Sequence, residues 1–269
     1  MFSPYYHWAG RREPEDHCAV NVALYGPGVG RWSMTERGRS RLWRDQDTLS
    51  IGPSVLRRDG DAFVIDVAEV AVPIPRPLRG RIRLSPHGLA DRAYAIDGKG
   101  RHRWMPLAPS CVVEVDFAEP SCRWRGHGYV DTNAGDEPVA DAFTSWDWSR
   151  ADLGADGSAV LYDVIEKDGS IRSIAARYDR NGVAEDFAPP PRVTLPRTRW
   201  LLPRRTQAEP GGAVRVARTL EDTPFYARSE LETRLFGRQV AAVHESLSVG
   251  RLDTPVVRMM LPFRMPRRK

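Results

Sequence analysis

Three residue pairs between Arg101 and Trp148 carry side chains able to do chemistry: His102 with Trp104, Tyr129 with Asp131, and Trp146 with Trp148. Each pair is spaced i, i+2, and in an extended strand such residues point to one face. The first two pairs set an imidazole or a carboxylic acid beside an aromatic ring, and the third adds ring surface. If those faces form the interior of a β-barrel, the chain builds an aromatic pocket with an acid in it. Trp104, Trp124, Phe143, Trp146 and Trp148 all lie near Asp131 in sequence. Burial against such a wall raises a carboxyl pKa and leaves a neutral acid that can donate a proton. The plainer reading of Tyr129 to Gly135 is an Asx turn at a strand end, with Asp131 or Asn133 capping the loop.

His102 read alone is a satisfied structural histidine, and Trp104 read alone is core. Together on one strand face they offer a ring to stabilise positive charge and an imidazole to hold water. His127, between Gly126 and Gly128, shares the wall of Tyr129 and Asp131 if the strand is unbroken; the glycines suit a bulge equally well. No HxH or HxxxH spacing supports a metal site, and no GxSxG supports a serine nucleophile. Asp131 paired with Asp136, Glu137 or Asp147, beside aromatic platforms, keeps glycoside hydrolysis in play.

Elements able to position these groups are short strands. Runs near 18–25, 63–67, 82–84, 112–117, 159–165, 171–178, 214–220, 225–236 and 240–247 are rich in β-formers and end near Gly, Pro, Asp or Ser. Lys167-Asp168-Gly169-Ser170 suits a hairpin turn. Gly26-Pro27-Gly28-Val29-Gly30 holds GxG without a helix after it, so it is a turn and no dinucleotide loop. One short helix is expected between Trp32 and Arg44, with Thr35 as its cap. The expected fold is mainly β, a sandwich or barrel. The glycine-rich stretch 154–158 marks the expected boundary between an N-terminal unit, 1–154, carrying the site, and a C-terminal unit, 155–269.

At 269 residues the chain is long enough to bury a sizeable core in one large or two small domains. No apolar run is long enough to cross a bilayer as a helix, and the N-terminus lacks the apolar region of a secretory signal. Three cysteines, Cys18, Cys111 and Cys122, with no CxxC pair, argue against a disulfide framework or a structural zinc and suit the cytoplasm. The net charge is +5, but acids interleave with the arginines along the chain, so no nucleic-acid footprint stands out. One basic cluster, Arg264 to Lys269, follows the apolar Met259 to Phe263. That order suits peripheral contact with an acidic membrane, the inner or photosynthetic one; a frayed, solvated terminus is the plain alternative.

Several blocks taken together resemble carotenoid 1,2-hydratases of the hydroxyneurosporene synthase type. They are Phe2 to Tyr6, Asn21 to Gly26, Met34 to Gly38, Ile51 to Ser54, Gly100 to Trp104, Gly128 to Gly135 and Phe143 to Arg150. The resemblance implies two lipocalin-like β units in tandem. It also implies cofactor-independent addition of water to the terminal C1–C2 double bond of an acyclic carotenoid. The family's His-x-Trp and Tyr-x-Asp pairs fall on His102, Trp104, Tyr129 and Asp131. Asp131 would then protonate C2, Trp104 and Tyr129 would face the tertiary cation at C1, and His102 would position the water and accept its proton. Trp124, His127, Phe143, Trp146 and Trp148 would contact substrate. Proton transfer is worth roughly 10²–10⁴ in rate and a desolvated cation–ring contact about 2 kcal/mol, so a dry, preorganised pocket has to supply the rest. A non-catalytic carrier of a hydrophobic ligand, or a related lyase or isomerase on the same fold, uses the same aromatic wall.

Overall fold

In the computed structural model, residues 3–268 are described; Phe2 of the opening block and Lys269 of the basic cluster lie outside them. The chain is mainly β, with its long strands paired antiparallel. Every sheet among the described residues is open, so no closed barrel is formed. Two compact units emerge, and their partition differs from the expected 1–154 and 155–269. Of the described residues, one holds 3–86, 111–128 and 255–268; the other holds 87–110 and 129–254.

The first unit is a meander. Strands Leu42–Arg44, Thr48–Ile51, Ser54–Asp59, Ala62–Val70 and Pro77–Pro86 pair in succession, and Pro77–Pro86 then pairs with the later half of His102–Glu119. Its core is Val22, Val67, Leu78, Val113, Val115 and Phe117. Phe117 packs closely on Gly80, where a Cβ would stand 2.3 Å from its ring.

Of the helix expected between Trp32 and Arg44 only a single 3-10 turn, Arg39–Arg41, is found. Arg31–Arg37 is a strand, paired in register with Cys18–Leu24 across the Gly26 to Gly30 turn. Ser33 and Thr35 are buried on it, so Thr35 caps nothing. A solitary helix of that length is marginal in water, whereas a strand there gains a full ladder of backbone hydrogen bonds.

As far as it is described, to Arg268, the tail is built into the fold. Pro255–Arg264 is a helix, and Arg267 closes an ion-pair cluster with Glu36 and Asp16.

The second unit is built on seven antiparallel strands, ordered Ala184–Asp186, Ile171–Tyr178, Ser158–Glu166, Phe143–Asp152, Arg238–Ser248, Tyr226–Leu235 and Arg215–Asp222. Alternation splits the sheet into two faces. One packs Ala151, Leu161, Ala175, Leu231 and Ala242 into a core and carries Asp147, Asp163, His244 and Ser246. On the other face, cross-strand partners form a row: Ile174, Tyr162, Trp148, Glu245 and Arg228. The first residues of strand His102–Glu119, paired with Tyr94–Ala95, and the last residues of Cys122–Gly135 complete this unit.

Candidate functional site

Strand alternation delivers the first pair as expected: His102 and Trp104 are buried while Arg103 between them is exposed. Trp104, only 1% exposed, has rings on two sides, Tyr94 tilted at 5.5 Å and Tyr162 edge-on at 5.5 Å. Its indole N–H donates to Asp131 Oδ2 at 2.8 Å. The Tyr129 hydroxyl donates to the same oxygen at 3.2 Å, and the Tyr129 ring rests on Trp148 at 5.4 Å. Asp131 therefore accepts from side chains, and its strand runs on to Gly135, so the Asx-turn reading does not hold.

Burial pushes the Asp131 carboxyl above its ordinary value; the indole and phenol donors pull it down, and the nearby Glu245 charge pushes it up. The net effect is upward. Burial also holds the Tyr129 phenol well above its ordinary value, reinforced by the Asp131 charge beside it. The phenol thus stays a donor. Because both donors address Oδ2, a proton on Asp131 belongs on Oδ1. Tyr162 is raised by burial, then by the charges of Asp131 and Glu245. The arrangement is an acid that resists ionising, set among Tyr94, Trp104, Tyr129, Trp148 and Tyr162, and it can pass a proton to an apolar molecule.

His102 sits in different company. Its ring packs edge-on against Phe143 at 4.7 Å. Gly135 makes this approach feasible, since a Cβ there would stand 2.7 Å from Nδ1. The His102 Nε2 atom is buried without a hydrogen-bond partner, 3.9 Å from Glu137 Oε1. Trp146 lies on the row-bearing face of its strand, opposite Val164 and Leu247. Trp124, 49% exposed, and the exposed His127 belong to the other compact unit.

The carboxylates considered as partners for Asp131 are engaged elsewhere. Asp136 pairs with Arg103 at 3.0 Å and Glu137 with Arg101 at 2.5 Å. Asp147 is on the opposite face of its strand from Trp148, where burial raises it to about 6 against the pull of the Ser246 hydroxyl and the Arg205 backbone N–H. Among the described residues, no group of three or more His, Cys, Asp or Glu side chains is placed to hold a metal ion.

Tyr94, Tyr162, Glu245 and Arg228 escaped the sequence reading. Tyr162 carried a signal, being central to a recognised strand run. Glu245 carried none, because only the register of distant strands sets it beside Trp148.

The family described as carotenoid hydratase CrtC matches residues 1–269. The chain is 54% identical over 271 residues to the acyclic carotenoid 1,2-hydratase of Thiocapsa roseopersicina, covering 99% of this chain and 67% of that protein. It is 48% identical over 273 residues to the enzyme of that name from Rubrivivax gelatinosus, covering 100% and 67%. It is 41% identical over 269 residues to that of Cereibacter sphaeroides, covering 100% and 95%. No solved structure matches the chain significantly. A family match over the whole chain, and similarity to these relatives over 99–100% of it, lead to one conclusion: the chain belongs to the carotenoid hydratase CrtC family.

Proposed function

We propose that the protein is a hydro-lyase that adds water, without a cofactor, across the terminal C1–C2 double bond of an acyclic carotenoid. The observation that carries this reading is the Asp131 carboxyl, raised by burial and hydrogen-bonded to Trp104 and Tyr129 within an aromatic enclosure. Asp131 gives its proton to C2, and a tertiary cation forms at C1. The faces of Trp104 and Tyr129 stabilise that cation, a contact worth about 2 kcal/mol when desolvated. His102, whose Nε2 is otherwise unsatisfied, holds the attacking water. Phe143, Trp146 and Trp148 flank the chain of the substrate.

The fold in this reading is two lipocalin-like β units in tandem. Support comes from two compact units, each built on antiparallel strands.

Peripheral contact with an acidic membrane, at the cytoplasmic side, brings the enzyme to its substrate. The helix Pro255–Arg264 supports this. Val256, Met259 and Phe263 form a stripe 66%, 68% and 78% exposed, while Val257 is buried. Residues 255–269 hold five basic side chains (Arg258, Arg264, Arg267, Arg268 and Lys269) and no acid. An apolar stripe flanked by bases fits an anionic lipid surface. No helix among the described residues is long and apolar enough to cross a membrane.

The test is incubation of the purified protein with lycopene in ¹⁸O-labelled water with no added cofactor. A labelled tertiary alcohol supports the reading; bound but unchanged pigment refutes it in favour of a carrier.

A further inference from the structure

Adding water to an isolated alkene needs two proton transfers: one onto C2, and one off the water that attacks C1. Asp131 can serve the first. It cannot serve the second until it has lost its own proton, and its surroundings disfavour the charged form. A second group must accept the water's proton, and it has to stay ionised while Asp131 stays protonated.

His102 is poorly placed for this acceptance. Its ring is held against Phe143 and the Gly135 backbone, its Nε2 lies 3.9 Å from Glu137, and its backbone N–H donates to Asp97. None of its described ring contacts is with Trp104, Tyr129 or Asp131.

Glu245 is better placed. It is the direct cross-strand partner of Trp148 and so lies on the same face of the sheet. On the other side Trp148 is partnered by Tyr162, which touches Trp104, and Trp148 itself touches Tyr129. Trp104 and Tyr129 are the two donors to Asp131. Glu245 is thus one strand from the rings that hold the acid. Arg228, its partner on the next strand, binds it with two nitrogens, Nε at 2.9 Å and Nη2 at 2.7 Å. Both bonds end on Oε1 and hold that oxygen toward Arg228. The side chain is 23% exposed, which leaves an edge for water.

We propose that Glu245 is the base of the reaction, taking the proton of the water that attacks C1, with Arg228 as its positioning residue. The inference rests on the hydratase reading. The proton inventory closes: the C2–H bond forms from Asp131 Oδ1–H, the C1–O bond forms from water, and the water's spare proton passes to Glu245. Transfer of that proton from Glu245 to Asp131, directly or through solvent, restores both groups. His102 then positions water without accepting its proton.

Steady-state hydration of lycopene in ¹⁸O-labelled water by Glu245→Gln, Glu245→Asp and Glu245→Ala tests this, with thermal unfolding as the check on folding. Expected is a fall in kcat of about 10²–10⁴ in Glu245→Gln with KM within twofold, a smaller fall in Glu245→Asp, and partial recovery of Glu245→Ala by added formate. Formate recovery in particular does not follow from a purely structural role. Glu245→Gln turning over within threefold of the parent, or losing efficiency wholly through KM, overturns the proposal. A parent that forms no labelled alcohol sinks the hydratase reading and this inference with it. Parent turnover matched by Glu245→Gln sinks the inference alone.

Discussion

Replacing Trp104 with Phe keeps a ring in place and removes the one indole N–H that addresses Asp131. That bond, 2.8 Å to Oδ2, serves both forms of the acid, but unequally. A hydrogen bond to a charged group contributes about 1.5–3 kcal/mol and one between neutral groups about 0.5–1.5. Its loss therefore costs the carboxylate about 1–1.5 kcal/mol more than it costs the neutral acid. At 1.36 kcal/mol per unit this is roughly one pH unit. The sign follows from the role of the bond: it lowers the Asp131 pKa, so removing it raises the pKa further. The reaction needs Asp131 protonated, so activity is lost as pH rises through that pKa, and the loss moves to higher pH in the variant. Trp104 is almost wholly buried, so some stability is lost as well, though less than the roughly 3–5 kcal/mol of a Trp→Ala change. The assay is kcat/KM for hydration against pH, parent beside Trp104→Phe, restricted to pH values where both stay folded. An alkaline limb that stays in place or shifts to lower pH refutes the reasoning.

Asp131→Asn should lower hydration by at least the roughly 10²–10⁴ of a lost general acid, while pigment binding followed by Trp quenching is unchanged. Near-normal turnover removes Asp131 from the chemistry. Asp147 is raised from 3.8 to about 6 by burial, so the folded state binds its proton more tightly than the unfolded one. Stability should accordingly fall as pH climbs from about 4 through 6, by an amount on the order of 3 kcal/mol. Asp147→Asn should flatten that segment of the denaturation-versus-pH curve; an unchanged slope assigns it to other groups. Met259→Glu with Phe263→Glu, both on exposed positions, should weaken sedimentation with phosphatidylglycerol vesicles by tenfold or more, since each apolar side chain stabilises by about 1.5–3 kcal/mol when buried. Equal sedimentation of parent and variant assigns membrane contact elsewhere.

The legible part of the site was the part written along single strands. His102 with Trp104 and Tyr129 with Asp131 obey a period of two, and that period survives into the structure for His102–Trp104 as alternating burial. What pairs with what was not legible. Trp148 meets Tyr162 on the next strand of the chain, but it meets Glu245 because a strand some ninety residues on shares its register, and a register leaves no local trace. Trp32 to Arg44 misled for a related reason: the strand there depends on its partner, Cys18–Leu24, and not on its own composition. The helix at Pro255–Arg264 was hidden by an inverted pattern, with its apolar stripe turned to solvent and a proline, Pro262, near its end. The division of the chain was obscured as well. Strands His102–Glu119 and Cys122–Gly135 each contribute to both compact units, so no single glycine-rich stretch can mark the partition.

The account turns on where Asp131 keeps its proton. Infrared difference spectroscopy between the parent and Asp131→Asn, titrated with pH, isolates that one carboxyl by its protonated C=O stretch. The band should persist above the ordinary aspartate midpoint of 3.8. A band that vanishes at or below that midpoint means an ionised Asp131 and contradicts the mechanism.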